Sequence, residues 1–444
     1  MSYGATCSGL ARGVPRYPVQ WVFLSRFPEW RDRMIGLPTL LLLGLVLPQA
    51  SPDTLRLADA LAEAGRGNPM LQAARLRAAV AVERVGPAGV LPDPGLQLGL
   101  MNRPVSGFGT SEPMTMNTVA VSQMLPWPGK LHYGREQAQR IAAAESLDAE
   151  ELAARLGASV TRGYVRIAFI DRALTVMSRT RELLRDLLGV STQMYSVGSS
   201  LQQDVFQAQV AVARMGEDIT VMEQERIAMA ARFNALLGRT ATAPVPALQF
   251  REGLDALPTV DSLLAAAAQR RPALQAARER VAAAEAGYRG ARRELYPDLM
   301  LSLQYGQRPQ FGDMATLMVG VSLPIWAGQR QLAMRREMAA MRAMREAEAT
   351  DLYNETYAQI TELRAAVERT RALARLYDTG IIPQARASVE AALSAYRVGR
   401  VDFMSLVENQ MTVNRYEVER LRLTAEYHQL AGDLAALLGP EDLR

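Results

Sequence analysis

The sequence predicts a mixed α and β membrane protein built from two copies of one unit, each with two transmembrane strands and one very long helix. Three observations point there. The chain carries an ordered internal duplication, short stretches in which aliphatic residues alternate with small or polar ones, and long segments of heptad-like apolar spacing. "NPMLQAAR" (68–75) recurs as "RPALQAAR" (271–278), and "LPDPGLQLGL" (91–100) recurs as "LYPDLMLSLQ" (295–304). "VAVSQMLPWPGKL" (119–131) recurs as "VGVSLPIWAGQRQ" (319–331), and "YSVGSSLQQDVFQAQ" (195–209) as "YRVGRVDFMSLVENQ" (396–410). "NALLG" ending at Gly238 returns as "AALLG" ending at Gly439. The common order makes chance a poor explanation. The expected organisation is an N-terminal extension and signal segment (1–50), a first repeat (51–238), a Pro-containing linker (239–260), a second repeat (261–439) and a short tail (440–444).

The N-terminal segment fits export. "MIGLPTLLLLGLVLPQA" (34–50) follows Arg31 and Arg33 and ends near small residues, the charged, apolar and cleavage regions of a secretory signal. Met34 is the expected start. The formal charge of the chain is +4, but residues 1–50 hold five Arg against Glu29 and Asp32, leaving about +1 for the rest. The basicity belongs to the targeting segment and gives no ground for nucleic-acid binding. Cys7, the sole cysteine, lies upstream of the apolar run. A processed chain would therefore have no disulfide or thiol chemistry, and no cysteine suitably placed for a lipid. Apolar content of 49% and charged content of 22% are ordinary and exclude global disorder or a polytopic helical membrane protein.

Each unit has one grammar. An Ala-, Arg- and Glu-rich helical segment (about 55–90 and 261–293) precedes two strands. A very long helical segment (about 131–196 and 328–395), a glycine turn and a final helix (about 200–238 and 402–438) follow. In the strands, Leu96, Leu98 and Leu100 alternate with Gln97 and Gly99, and Leu301, Leu303 and Tyr305 with Ser302, Gln304 and Gly306. Leu317, Val319, Val321 and Leu323 alternate in the same way. One aliphatic and one small or polar face suits lipid outside and water within, although a soluble hairpin on a core shares the alternation. Trp127 and Trp326, the only tryptophans beyond residue 50, both end a second strand, where an indole suits the membrane–water interface. Pro126, Pro128 and Pro324 stop the ladder, and Gly129 and Gly328 are expected to turn the chain from strand to helix. Pro126, Trp127, Gly129, Pro324, Trp326 and Gly328 thus mark a membrane-interface corner.

Four strands cannot close a barrel, and an open edge in lipid leaves backbone groups unpaired at several kcal/mol each. Small barrels have at least eight strands, so two chains would suffice and three would give twelve. At 1.5 Å per residue each long segment spans roughly 100 Å, enough for a helical tube beneath the barrel.

The motifs Pro92-Asp93, "QMLPWPGK", Tyr-x-Val-Gly at Tyr195 and Tyr396, Pro297-Asp298, "LPIWAG" and "IIPQA" (381–385), in duplicated order over residues 55–439, resemble the outer-membrane efflux factor family of TolC-like channels. The resemblance implies a homotrimer with a twelve-stranded barrel above a twelve-helix periplasmic tube. It also implies partners: a periplasmic adaptor (membrane fusion) protein and an inner-membrane pump, of RND type. It places adaptor contacts at the far helical turns, here Tyr195, Val197, Gly198, Tyr396, Val398 and Gly399. Family members close this end with acidic residues, which singles out Glu408, Ser405, Asp402 and Asp204 as gate candidates. A ring of carboxylates would favour cations. Gly198 and Gly399 suit helix C-caps, Ser200 with Gln203 a capping box, and Asp402 an N-cap. The "PWPGK" form is similar to that of heavy-metal exporters, while drug efflux and type I protein secretion stay open. The rival of another class is a soluble periplasmic coiled-coil scaffold with hairpins packed on its own helices. No nucleophile–base pair or phosphate loop is present, so neither enzyme activity nor a cofactor is expected. His132 and His428 do not occupy equivalent positions, and the stripe Met334, Met338, Met341 and Met344 reads as packing rather than Cu(I) ligation.

Overall fold

In a computed structural model of the chain, the described residues are 54–439, apart from 104, 106–108, 110–111 and 399. The signal segment, Cys7, Gly399 and the tail 440–444 lie outside them. The first repeat opens with α1 (Leu57–Gly67), α2 (Pro69–Glu83) and α3 (Val85–Ala88), and the second with α6 (Val260–Arg270) and α7 (Pro272–Arg293). One continuous segment was expected in each copy, and both break at the same point. Asn68 and Arg271 are held extended before Pro69 and Pro272, because a proline ring disfavours helical geometry in the residue preceding it. The Asn68 side chain accepts from the N–H groups of Met70 and Leu71 and donates to the Leu236 carbonyl at 3.0 Å.

The long helix of the first repeat, α4 (Lys130–Ser196), runs unbroken for 67 residues, roughly 100 Å. It returns as α5 (Gln202–Leu237). Its counterpart departs from the expected single helix over 328–395. α8 (Gln331–Leu376) passes through a π-turn (Tyr377–Ile381) into α9 (Ile382–Arg397), and α10 (Phe403–Leu438) returns. Pro383 explains the break: it has no N–H to donate, and its ring crowds the carbonyl four residues back, so a wider turn relieves the clash. Glu182 stands at the equivalent point of α4 and imposes no such demand. Among the described residues no helix is long and apolar enough to cross a membrane.

The linker contains structure that sequence reading missed. β4 (Ala247–Leu248) pairs in parallel with β1 (Thr54–Leu55). The buried Tyr164 hydroxyl joins the two, donating to the Leu55 carbonyl at 2.8 Å and accepting from the Gln249 N–H at 3.0 Å. Strands of two residues leave no periodic signal.

β2 (Gly95–Met101), β3 (Met116–Leu125), β5 (Asp298–Gln307) and β6 (Met314–Ser322) form one antiparallel sheet in the order β2-β3-β5-β6. Its register stacks Leu96, Val121, Leu303 and Leu317 in one row across all four strands. This aliphatic face is open: Leu98 is 75% exposed, Leu303 58% and Val321 51%. The opposite face carries small and polar residues interspersed with Met124, Met300 and Met318, and on it the Thr118 hydroxyl donates to the Gly99 carbonyl at 3.2 Å. The aliphatic face ends in a polar pair, the Asn117 and Gln307 side chains hydrogen-bonded across β3 and β5. Within the chain, β2 and β6 each keep one unpaired edge.

The glycines that end the two repeats do equivalent work. Gly238 and Gly439 cap α5 and α10 with φ of 77° and 113°, and each backbone lies against the carbonyl just before the helix break, Gly67 or Arg270. A β-carbon at Gly238 would sit 2.3 Å from the Gly67 carbonyl oxygen. Gly238→Ala is therefore expected to cost about 2–4 kcal/mol from backbone strain and overlap together, read as a lowered thermal midpoint in detergent.

Candidate functional site

Two places gather the sequence candidates: the corner where strands become helices, and the turns at the far end of the helices. At the first corner β3 stops at Leu125, and Pro126 and Pro128 offer no N–H to extend the ladder. Gly129 turns the chain with φ of 101°, and α4 begins at Lys130. Lys130, the only lysine in the chain, is half-buried, with its Nζ 3.1 Å from Glu294 and 2.9 Å from Asp298. Asp298 also accepts the Trp127 backbone N–H at 2.8 Å. The Trp127 indole stacks on Tyr296 with centroids 5.3 Å apart. Glu294, Tyr296 and Asp298 of the second repeat thus clamp the corner of the first. Sequence reading marked the corner around Pro126, Trp127 and Gly129 but assigned Lys130 no role and missed its partners; the signal available was a lone lysine matched to the repeated Pro-Asp pair.

The second corner is built differently. Pro324, Trp326 and Gly328 lie in consecutive tight turns, with Ala327 N–H donating to the Pro324 carbonyl and Gln329 N–H to the Trp326 carbonyl, both at 3.1 Å. The chain does turn from β6 into α8 here, but Gly328 takes part without the positive φ that Gly129 adopts. Gln329 stands where the first copy has Lys130, and Trp326 is 72% exposed whereas Trp127 is half-buried.

At the far end, α4 closes in a Schellman motif. Ser199 N–H donates to the Met194 carbonyl at 2.9 Å and Gly198 N–H to the Tyr195 carbonyl at 3.0 Å, with Gly198 at φ 73°. In the second copy Arg400 N–H donates to the Ala395 carbonyl in the same pattern. Val197 and Val398 project at the two tips. The capping box expected of Ser200 and Gln203 is not formed. α5 starts one residue later, with Leu201 at the N-cap, and the Ser200 hydroxyl is used on the Ser191 carbonyl. Asp402 does occupy the N-cap of α10, yet its carboxylate accepts from the Ser405 hydroxyl rather than from a backbone N–H.

The two Tyr-x-Val-Gly tyrosines part company. Tyr195 is 45% exposed, whereas Tyr396 is 5% exposed and packs edge-on against Phe403. Burial, then the nearby Asp204 charge, holds the Tyr396 hydroxyl above the ordinary tyrosine pKa. Its ring is a core element and is withdrawn from any contact surface. Of the gate candidates, Asp402 pairs with Ser405, Asp204 lies beside Tyr396, and Glu408 is exposed on α10. Among the described residues no group of three His, Cys, Asp or Glu could hold a metal ion.

The corner clamp has a defined electrostatic consequence. Burial alone would lower the Lys130 pKa, but hydrogen bonds and charges from Asp298 and Glu294 outweigh it and hold the ammonium above the usual lysine value. A raised lysine pKa contributes stability that is complete below about pH 10.4 and is lost as pH rises through the folded value, so the clamp is insensitive to pH across the neutral range. Lys130→Met is expected to cost about 1–3 kcal/mol at pH 7, because it strands two carboxylates. Adding Asp298→Asn should recover part of that loss in the thermal midpoint.

Comparison with known proteins agrees with this architecture. Residues 263–440 match the family model described as outer membrane efflux protein. The pyoverdine export outer membrane protein OpmQ of Pseudomonas putida is 26% identical over 422 residues, covering 88% of this chain and 86% of OpmQ. Among solved structures, CusC superposes with a TM-score of 0.77 at 15% identity, over 86% of this chain and 92% of CusC. VceC of Vibrio cholerae superposes with a TM-score of 0.73 at 17% identity, over 86% and 96%. Residues 263–440 thus resemble outer membrane efflux proteins, and the chain shares with CusC and VceC the fold of an antiparallel sheet leading into long helical hairpins.

Proposed function

We propose that the chain is the passive, gated outer-membrane conduit of a tripartite exporter, carrying cargo delivered by an inner-membrane pump of RND type and a periplasmic adaptor. Three copies would close a twelve-stranded barrel over a twelve-helix tube. The observation that carries this reading is the aliphatic row Leu96, Val121, Leu303 and Leu317, exposed on a sheet whose two edges are unpaired. A soluble scaffold would bury that row on its own helices. Cargo of heavy-metal cations is suggested by the likeness of the "PWPGK" form to that of heavy-metal exporters, drugs are the alternative cargo, and the export role in the name of OpmQ supports efflux.

The adaptor would dock on Tyr195, Val197, Gly198 and Val398, with Gly399 beside them in sequence. Glu408 would line the gate, with Asp402, Ser405 and Asp204 near the same opening. Three symmetry-related Glu408 carboxylates would enrich cations at a narrow passage. Purified protein is expected to run as a detergent-extracted, heat-modifiable trimer and to conduct ions in planar bilayers. Glu408→Gln should reduce its cation preference by roughly twofold. A freely released, non-conducting monomer would overturn the conduit reading, and unchanged selectivity in the variant would overturn the gate assignment alone.

A further inference from the structure

The duplication supplies a template for a contact that one chain cannot make with itself. Within the chain, α4 of the first repeat packs against α10 of the second. Leu184 of α4 and Ala208, Ala211 and Met215 of α5 share one buried cluster with Leu406 and Val407 of α10. Across the same seam the Thr180 hydroxyl donates to the Asn414 side-chain carbonyl at 3.1 Å, both residues being buried.

Superimposing the repeats through Tyr195 and Tyr396 carries each member of this seam to a counterpart. Thr180 and Leu184 become Ile381 and Ala385, while Ala208, Ala211 and Met215 become Asn409, Thr412 and Tyr416. On the other side, Val407, Met411 and Asn414 become Phe206, Val210 and Ala213. The counterparts are open. Ile381, Ala385, Asn409, Thr412 and Tyr416 line an apolar groove of about 510 Å³ between the α8–α9 segment and α10. Phe206 and Val210 stand 55% and 51% exposed on α5, although Val407 is only 4% exposed.

The substitutions between the two seams compensate. Leu184 and Val407 both belong to the buried cluster of the closed seam; Ala385 and Phe206 replace them, a smaller groove wall with a larger ridge. The buried polar pair Thr180 and Asn414 is replaced by the apolar pair Ile381 and Ala213, so at this position neither surface would strand a polar group, while the polar groups of the groove include Asn409 and Thr412. Size and polarity have changed together on two surfaces that do not touch within the chain, as they would if those surfaces met.

We propose that Phe206 and Val210 of one copy fill the groove bounded by Ile381, Ala385 and Tyr416 on the next copy. Ridge and groove lie on different repeats, so the contact is head-to-tail and closes when the copies form a ring. This rests on the multi-copy channel proposed above, and it names the residues that hold the copies together below the membrane.

The test is disulfide trapping in the full-length chain within membranes. Ala213→Cys combined with Ile381→Cys, the counterparts of the hydrogen-bonded seam pair, is expected to give an oxidant-dependent ladder of dimers and trimers. Thr180→Cys combined with Asn414→Cys should link within one chain and give no ladder. A protein of trimeric native mass that yields no ladder would overturn the contact and leave the channel reading standing, whereas a monomeric mass would overturn both. A repacking measurement guards against unfavourable cysteine geometry. Ala385→Leu alone should lower the thermal midpoint of the trimer by several degrees, and adding Phe206→Val, which recreates the closed seam, should restore it. A double variant no more stable than Ala385→Leu would contradict the proposal.

Discussion

Every backbone N–H and C=O group that enters lipid must find a partner within protein, and this constraint organises the rest of the molecule. Three of the ladders that a four-stranded sheet can offer are satisfied inside the chain: β2 with β3, β3 with β5, and β5 with β6. The outer edges of β2 and β6 remain, so the lipid-facing sheet is complete only beside another copy. The aliphatic row across the sheet has the same logic, since its exposure is favourable against hydrocarbon and costly against water.

Duplication places equivalent seams in the two repeats. It also lets the copies diverge. At the first corner a half-buried lysine, two carboxylates and a Trp–Tyr stack fix the strand-to-helix turn, and all of their partners come from the second repeat. The second corner keeps its tryptophan exposed and has a glutamine in place of the lysine. The same divergence appears in the helices, where α4 is continuous while its counterpart is interrupted at the π-turn before Pro383.

A conduit of this kind needs no reaction chemistry of its own, and the distribution of charge agrees with a structural role for most titratable groups. Arginine–carboxylate pairs tie neighbouring helices together, as in Arg226 with Asp171 and Arg342 with Glu285. Partly exposed pairs of this type contribute modestly each, so the helices are held chiefly by apolar seams. Those seams are rich in alanine, which lets long helices approach closely along their length.

Much of this was legible in the residues themselves. The repeat, the four strands, the great length of α4 and the left-handed Gly198 follow from local rules: alternation for strands, heptad spacing for helices, glycine where φ is positive. The corner was readable as a place but not as a mechanism, since the partners of Lys130 lie more than 160 residues away and no local pattern joins them. The same distance hid the burial of Tyr396, which shares its motif with exposed Tyr195 and differs through the neighbours that packing supplies. Ser200 failed as a cap, and the two-residue pairing of β1 with β4 went unseen, because each was decided by which distant or competing group reached the backbone first. Periodicity and turn chemistry are properties of neighbours in sequence, so sequence alone determined the elements and their duplication. Burial and ion pairing are properties of neighbours in space, so tertiary structure decided which of two equivalent residues is a clamp, a core or a surface.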